Sequence, residues 1–302
     1  MEHIAHTTPV NQKNWYDRYY KIALIVPVAF FIFSMIYLFS FYQTNGDLIY
    51  KDVSLTGGTS VTVFDKNVDA KIITDSLKAE FPDMQYRIIS DFRTGEQHGF
   101  SIETQAESSK IVSALESKLN YKLDEKNSSI EFSSSSISSG FYQQLRFAIA
   151  LSFILMATVV FVIFRTPIRS LSVILAGLLD IIMTIVVVDL LHIQLSTAGI
   201  VALLMLIGYS VDVDILLTAR VVRTREGTLN QRIWDSFKTG ITMTLTAIAA
   251  AAVALIFTHS VSPVLSQMFT VILIGLGFDI INCWITNASI LKWYMERKES
   301  KA

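Results

Sequence analysis

Apolar and polar stretches alternate along the chain, and their periods differ. Six runs are apolar on every side and long enough to cross a bilayer, which takes about 20 residues at 1.5 Å each. They lie at about 22–42, 141–164, 171–191, 196–218, 239–258 and 265–291. Pro27 is expected to kink the first. No small-residue cleavage site follows that long run, so it reads as an uncleaved anchor.

Residues 43–140 carry a soluble-domain pattern instead. TSVTVFD at 59–65 is β-branched and alternating, which predicts a strand. Residues 70–81 place Ile72, Ile73, Leu77 and Phe81 on a helical stripe ended by Pro82. Strands are predicted at 84–92 and 99–105, joined by the turn-rich TGEQHG, and a second helix at 108–119. A weak last strand covers 128–138, although the serine run 133–139 also reads as a linker into the membrane. The order β-α-β-β-α-β is ferredoxin-like. The expected fold is thus an α-helical polytopic membrane protein with six transmembrane helices. An extracytoplasmic α+β ferredoxin-like domain lies between helices 1 and 2. The expected divisions are a tail 1–21, the domain 43–140, a five-helix bundle 141–294 and a tail 295–302.

Composition agrees: 52% of the 302 residues are hydrophobic and 17% charged, against about 25% charged in soluble domains. Mean hydropathy is +0.46. The single cysteine, Cys283, allows no disulfide within the chain. Orientation follows from the distribution of positive charge. One side carries Arg18, Lys21, Arg165, Arg169, Arg220, Arg223, Arg225, Arg232, Lys238, Lys292, Arg297, Lys298 and Lys301. The opposite short loops, at 192–194 and 259–263, have no Lys or Arg. Both termini are therefore expected in the cytoplasm and 43–140 outside. Trp15, Tyr16, Tyr19 and Tyr20 suit the headgroup layer.

No glycine-rich phosphate loop with lysine occurs. The five histidines show no metal-ligand spacing, and no basic-aromatic groove suggests nucleic acid. No cofactor, metal or nucleic-acid partner is expected.

The candidate chemistry lies in the apolar runs. Asp180 and Asp279 fall near mid-span. Asp212 lies about 6–8 Å past the midplane toward the cytoplasm, and Asp214 is closer to that surface. A charge at such depth costs about 2.5–3.5 kcal/mol on insertion scales. A carboxyl withdrawn from water holds its proton more firmly, so these acids read as a proton relay, led by Asp212. The alternative is interhelical hydrogen bonding by a permanently protonated acid, or an ion pair. Asp212 and Asp214 sit about 200° apart on a helix and cannot face one neighbour. Gly208, one turn before Asp212, would let another backbone approach. Thr242 and Thr246 share a face and could extend a relay or simply pack closely; Gly275 and Gly277 read as close packing. Asn282 is placed to hydrogen-bond Asp279. Asp189 and Arg146, near span ends, can snorkel. The loop 219–238 suits an amphipathic helix drawn to anionic lipid, or a docking surface.

Residues 192–223, HIQLSTAGIVALLMLIGYSVDVDILLTARVVR, resemble the fourth membrane span of the SecD/SecF family of protein-export membrane proteins. They are closest to the archaeal SecF type, whose hallmark resembles GYSVDxDILL. Asp52, Gly57, Gly58 and Thr59 are similar to the D-F-x-GG-T element after the first span of such proteins, but Val53 and Ser54 depart from it. One span, an outer domain and five spans is half the layout of the similar resistance-nodulation-division (RND) transporters. The resemblance implies a SecD partner, the Sec translocation channel, secretory polypeptide clients and proton-gradient coupling in the lipid bilayer. An RND-type half for a small or lipidic substrate is the alternative. An intramembrane aspartyl protease fits poorly: GLGFDI at Asp279 does not match Gly-x-Gly-Asp, and no Tyr-Asp lies in a span.

Overall fold

The computed structural model describes residues 15–90, 94–224, 227–259 and 261–299. The predicted basic positions Arg225 and Lys301, the last two residues of the 84–92 strand, and most of the N-terminal tail lie outside them.

The first span is two helices, α1 (Trp15–Ala23) and α2 (Ile25–Asn45). They break at Leu24, because Pro27 has no N–H to donate to the carbonyl of Ala23 and its ring crowds that carbonyl. Gly46, at φ +72°, ends α2 by donating its N–H to Tyr42 O at 2.8 Å. After a short helix α3 (Val53–Thr56) comes a small lobe: β1 (Gly58–Val63), α4 (Ala70–Leu77), β2 (Gln85–Ser90), β3 (Gln97–Thr104), α5 (Ser108–Leu119) and β4 (Ser128–Ser133). Its sheet is antiparallel throughout, in the order β2-β3-β1-β4. Val61, Val63, Phe100 and Ile102 face Leu77, Ile111 and Leu115 in a dry core. The predicted α4 stripe needs correction. The helix ends at Leu77 and continues only as hydrogen-bonded turns up to Phe81, the residue before Pro82. Ile72 is 68% exposed, and Thr74 is buried instead.

The predicted last strand ends at Ser133, and the serines from 135 on are helical. Ser135 opens α6 (Ser135–Phe164), a 30-residue helix in which the apolar run propagates back through the serines. The other long helices are α7 (Pro167–Leu190), α8 (Thr197–Arg223), α9 (Leu229–His259) and α10 (Pro263–Ile281). A π segment, Asn282–Asn287, joins α10 to α11 (Ala288–Glu299). Among the described residues six helical segments are long and apolar enough to span a membrane. The central pair is α7 and α8, with 61% and 56% of their apolar windows buried, against 11–17% for the spans of α2, α6 and α9. The separate interfacial helix predicted at 219–238 is not seen: α8 and α9 each extend into that stretch. There Val221 and Ile233 pack on Leu217, Leu291 and Met295 rather than on lipid.

The lobe is joined to the bundle through the glycine pair. Gly57 (φ +87°) lies so near α6 that a Cβ would sit 2.4 Å from Ser135 Cα. A Cβ on Gly58 (φ +137°) would sit 2.3 Å from Thr104 O. Only glycine fits at either position. Asp52 caps α3, accepting from Ser54 N at 2.8 Å, and its own N–H donates to Leu195 O at 3.1 Å. Leu195 N donates to Tyr50 O at 2.6 Å, and Thr197 N to Ser54 Oγ at 3.0 Å. Gln267 of α10 holds the same stretch through Gln194 O, Ser196 N and Ser196 Oγ. Asp189, expected to snorkel, is buried and accepts from Tyr50 N at 3.2 Å. Glu103 of β3 also lies against this seam, in electrostatic contact with Asp52 and Arg87.

At the far end, fully buried Lys292 donates to Asp17 and to Asn230 Oδ1 (2.7 Å). Asn230 Nδ2 donates back to Asp17 at 2.9 Å, and Tyr20 OH to Glu296 at 2.7 Å. This knot fastens α1 to α9 and α11.

Two outcomes are expected. Removing one member of a buried ion pair strands the other, at about 3–5 kcal/mol. Asp17→Ala should therefore lower the thermal midpoint sharply, and pairing it with Lys292→Met should restore most of the loss; equal midpoints for single and double variants would rule the knot out. Burial raises the Asp52 and Glu103 carboxyls above their ordinary range, against the pull of Ser54 on the first and Arg87 on the second. Acids that bind protons better in the folded joint stabilise it as pH falls toward their unfolded values and weaken it as pH rises. Glu103→Gln keeps the shape of the side chain, removes its titration and should flatten that slope, read as amide exchange at Val53 and Ser54 between about pH 5 and about pH 8.

Candidate functional site

Three spanning helices bring their acids to one buried cluster. Asp180 of α7, Asp214 of α8 and Asp279 of α10 are each at most 1% exposed, and they interact electrostatically. Ser210 of α8 donates to Asp180 Oδ2 at 2.5 Å, and the same hydroxyl interacts electrostatically with Asp279. Asn282 Nδ2 donates to Asp180 Oδ1 at 2.7 Å. Asp180 therefore has a donor on each oxygen. Asn287 Nδ2 donates to Asp214 Oδ1 at 2.8 Å, and Thr244 Oγ to Asp279 Oδ2 at a longer 3.4 Å. Asp214 Oδ2 and Asp279 Oδ1 meet no protein donor.

This asymmetry has chemical content. A carboxylate with both oxygens engaged by donors is held as an acceptor. One with an unengaged oxygen has a place to carry a proton. A hydroxyl such as Ser210 can donate to one acid while accepting from the other, so it can hand a proton between Asp180 and Asp279.

The π segment makes the amide contacts possible. Residues five apart in an α-helix point about 140° away from each other. In the wider π turn, Asn282 and Asn287 are brought round to the same acid cluster. Thr286 also lies 3.5 Å from Asn282 Oδ1.

Several predicted site residues lie elsewhere. Asp212 is exposed, on the α8 face opposite Ser210 and Asp214. Depth favoured Asp212, but rotation about the helix decides in favour of Asp214. Gly208 shares the exposed face and has open space where a Cβ would go. The close approach occurs at Gly240, under Trp284, and at Gly275, under Leu206; Gly277 is open. Thr242 and Thr246 are exposed and hydrogen-bond their own helix at Lys238 O and Thr242 O. Asn282 serves Asp180, not Asp279. Asp52, Gly57 and Gly58 form the lobe joint, remote from the acids. Ser210, Thr244 and Asn287 were missed. Ser210 stands at i−4 to Asp214, which was a usable signal; the five-residue spacing of the asparagines hid theirs. Among the described residues no group of His, Cys, Asp or Glu is arranged to hold a metal.

Residues 113–297 match the family model described as protein export membrane protein SecD/SecF, C-terminal. The protein-export membrane protein SecF of Methanocaldococcus jannaschii is 36% identical over 293 residues, covering 93% of this chain and 98% of that protein. SecF of Pyrococcus furiosus is 32% identical, covering 93% of each chain. Among solved structures, SecDF of Thermus thermophilus, a translocon-associated membrane protein, superposes with a TM-score of 0.73 at 18% identity. That match covers 92% of this chain but only 38% of the Thermus chain, so it shows a shared fold within a longer protein. With a family match across the bundle and relatives similar over nearly the whole sequence, this chain belongs to the SecD/SecF family of protein-export membrane proteins.

Proposed function

We propose that the chain is a SecF-type accessory subunit of the Sec protein-export machinery. It acts with a SecD-type partner and the translocation channel on secretory polypeptides. In this reading the bundle sits in the cytoplasmic membrane with both termini inside. Residues 43–140 form an extracytoplasmic ferredoxin-like lobe, a reading that the strand order β2-β3-β1-β4 supports.

The observation that carries the mechanism is the buried array Asp180–Ser210–Asp279 with Asp214 alongside. Its acids reside on three helices, so a proton that arrives or leaves changes what holds those helices together. A neutral acid loses attraction for the Asn282 and Asn287 amides; an ionised one regains it. The start of α8 is hydrogen-bonded to residues 50–54, beside the lobe's glycine joint. A shift of α8 therefore reaches the lobe, which gives proton passage a route to mechanical work on a client chain.

Asp212 supports the second subunit. An exposed carboxylate within a spanning helix cannot face hydrocarbon cheaply, and a partner helix packed over Gly208 and Asp212 would cover it. This chain matches only 38% of the longer Thermus chain, which leaves room there for a second half.

In proteoliposomes holding the complete complex, Asp214→Asn and Ser210→Ala are expected to slow proton flux by about a hundredfold, in the range of a lost proton-transfer group. Export of a secretory precursor should fall with it. Asp212→Asn should leave flux largely intact but weaken co-purification with the SecD-type partner. Normal export and flux in Asp214→Asn would remove the relay from the mechanism. If export persists without this chain while a small apolar substrate accumulates, the protein is a transporter half.

A further inference from the structure

The basic stretch between α8 and α9 is not used by the relay or by the lobe joint. A groove of about 480 Å³ opens there, lined by Arg220, Arg232, Trp234, Asp235 and Lys238 with Gly227. That size is within the range of small-molecule sites. We propose that this groove binds the phosphate headgroup of an anionic phospholipid. The proposal is independent of the export reading.

Charge is the first argument. Three cations and one carboxylate line the groove. Asp235 is engaged by Lys238 at 2.9 Å. Both arginines are anchored to neighbouring oxygens. Arg220 Nη1 donates to Asp235 O at 3.1 Å and Thr239 Oγ at 2.8 Å. Arg232 Nη1 donates to Val221 O and Thr224 O, each at 2.8 Å. Those bonds fix two planar guanidinium groups at the rim, where their ordering cost is already met before a ligand arrives. Arginine suits phosphate because its fork of donors matches two phosphate oxygens.

Depth is the second argument, and it selects lipid over soluble phosphate. Helix α9 has 31 residues, about 46 Å, and exceeds a 30 Å hydrocarbon core by about ten residues. The excess lies at 229–238, because the residues that follow are apolar and rich in alanine. Trp234, 57% exposed, stacks on Phe237 at 5.2 Å, with Lys238 over its ring. An exposed indole beside a lysine is suited to the headgroup layer. The N-terminus of α9 adds its partial positive charge at the same level.

The test uses the full-length protein in nanodiscs of phosphatidylcholine containing a minor share of phosphatidylglycerol, with retained lipid counted by native mass spectrometry. Wild type is expected to retain phosphatidylglycerol preferentially. Arg220→Gln with Lys238→Gln should lose about fivefold in retention for each charge removed. Asp235→Asn, a change on an exposed side chain, should raise retention by a similar factor, which no folding defect would mimic. Arg169→Gln, a basic residue of α7 outside the groove, should change nothing. Three results would overturn the proposal: equal retention in wild type and the double variant, loss in Arg169→Gln equal to that in the double variant, or displacement of the lipid by inorganic phosphate. The last would make the groove a soluble-anion site.

Discussion

A carboxylate among apolar helices must find donors there or remain neutral, and in either state it constrains its neighbours. That constraint organises this bundle. Asp180 is met by Ser210 from one helix and Asn282 from another, so α7, α8 and the π segment are fixed relative to one another by one side chain. Asp214 and Asn287 repeat the arrangement nearer the basic end. Apolar contacts between helices are no stronger than those with lipid. Directional bonds of this kind are what can specify one packing of α7, α8 and α10 among many. They also make that packing responsive to proton occupancy.

The lobe is attached in a matching way. Its two connections run side by side, with Gly58 paired to Ser133. The segment before it is zipped to the start of α8 by backbone bonds at Tyr50, Asp52 and Leu195. Three carboxylates, Asp52, Glu103 and Asp189, sit in or against this seam. The first span is thinly packed along its middle but tied at both ends. Tyr50 and Asp189 hold the segment after α2, and Lys292 and Asp17 hold α1. Such a strut can transmit displacement between the two surfaces without a large apolar interface of its own.

Much of this was legible in one dimension. The six spans and the lobe's sequence of elements follow from period and length. The segregation of Lys and Arg to one set of loops is likewise a count, and the helix order places those loops at the end away from the lobe. Gly57 and Gly58 were recognisable as a place where the backbone must turn or touch, and both do. Element ends were less legible. The serines of 135–139 have no strong preference, so the apolar run beyond them decided that they are helical. Ile72 looked like core but is exposed, because the sheet buries only part of the α4 face.

The sequence by itself determined that several acids lie within apolar spans, since composition and length are local properties. It could not determine which of them meet. Asp212 and Asp214 differ by two residues, and only the azimuth of α8 against α7 and α10 turned Asp214 inward and Asp212 outward. The azimuth of α9 likewise excluded Thr242 and Thr246 and admitted Thr244. The π turn that gathers Asn282 and Asn287 has no signature in local propensity. It exists because two amides five residues apart both find carboxylates on neighbouring helices, and a contact between helices is decided only when they pack.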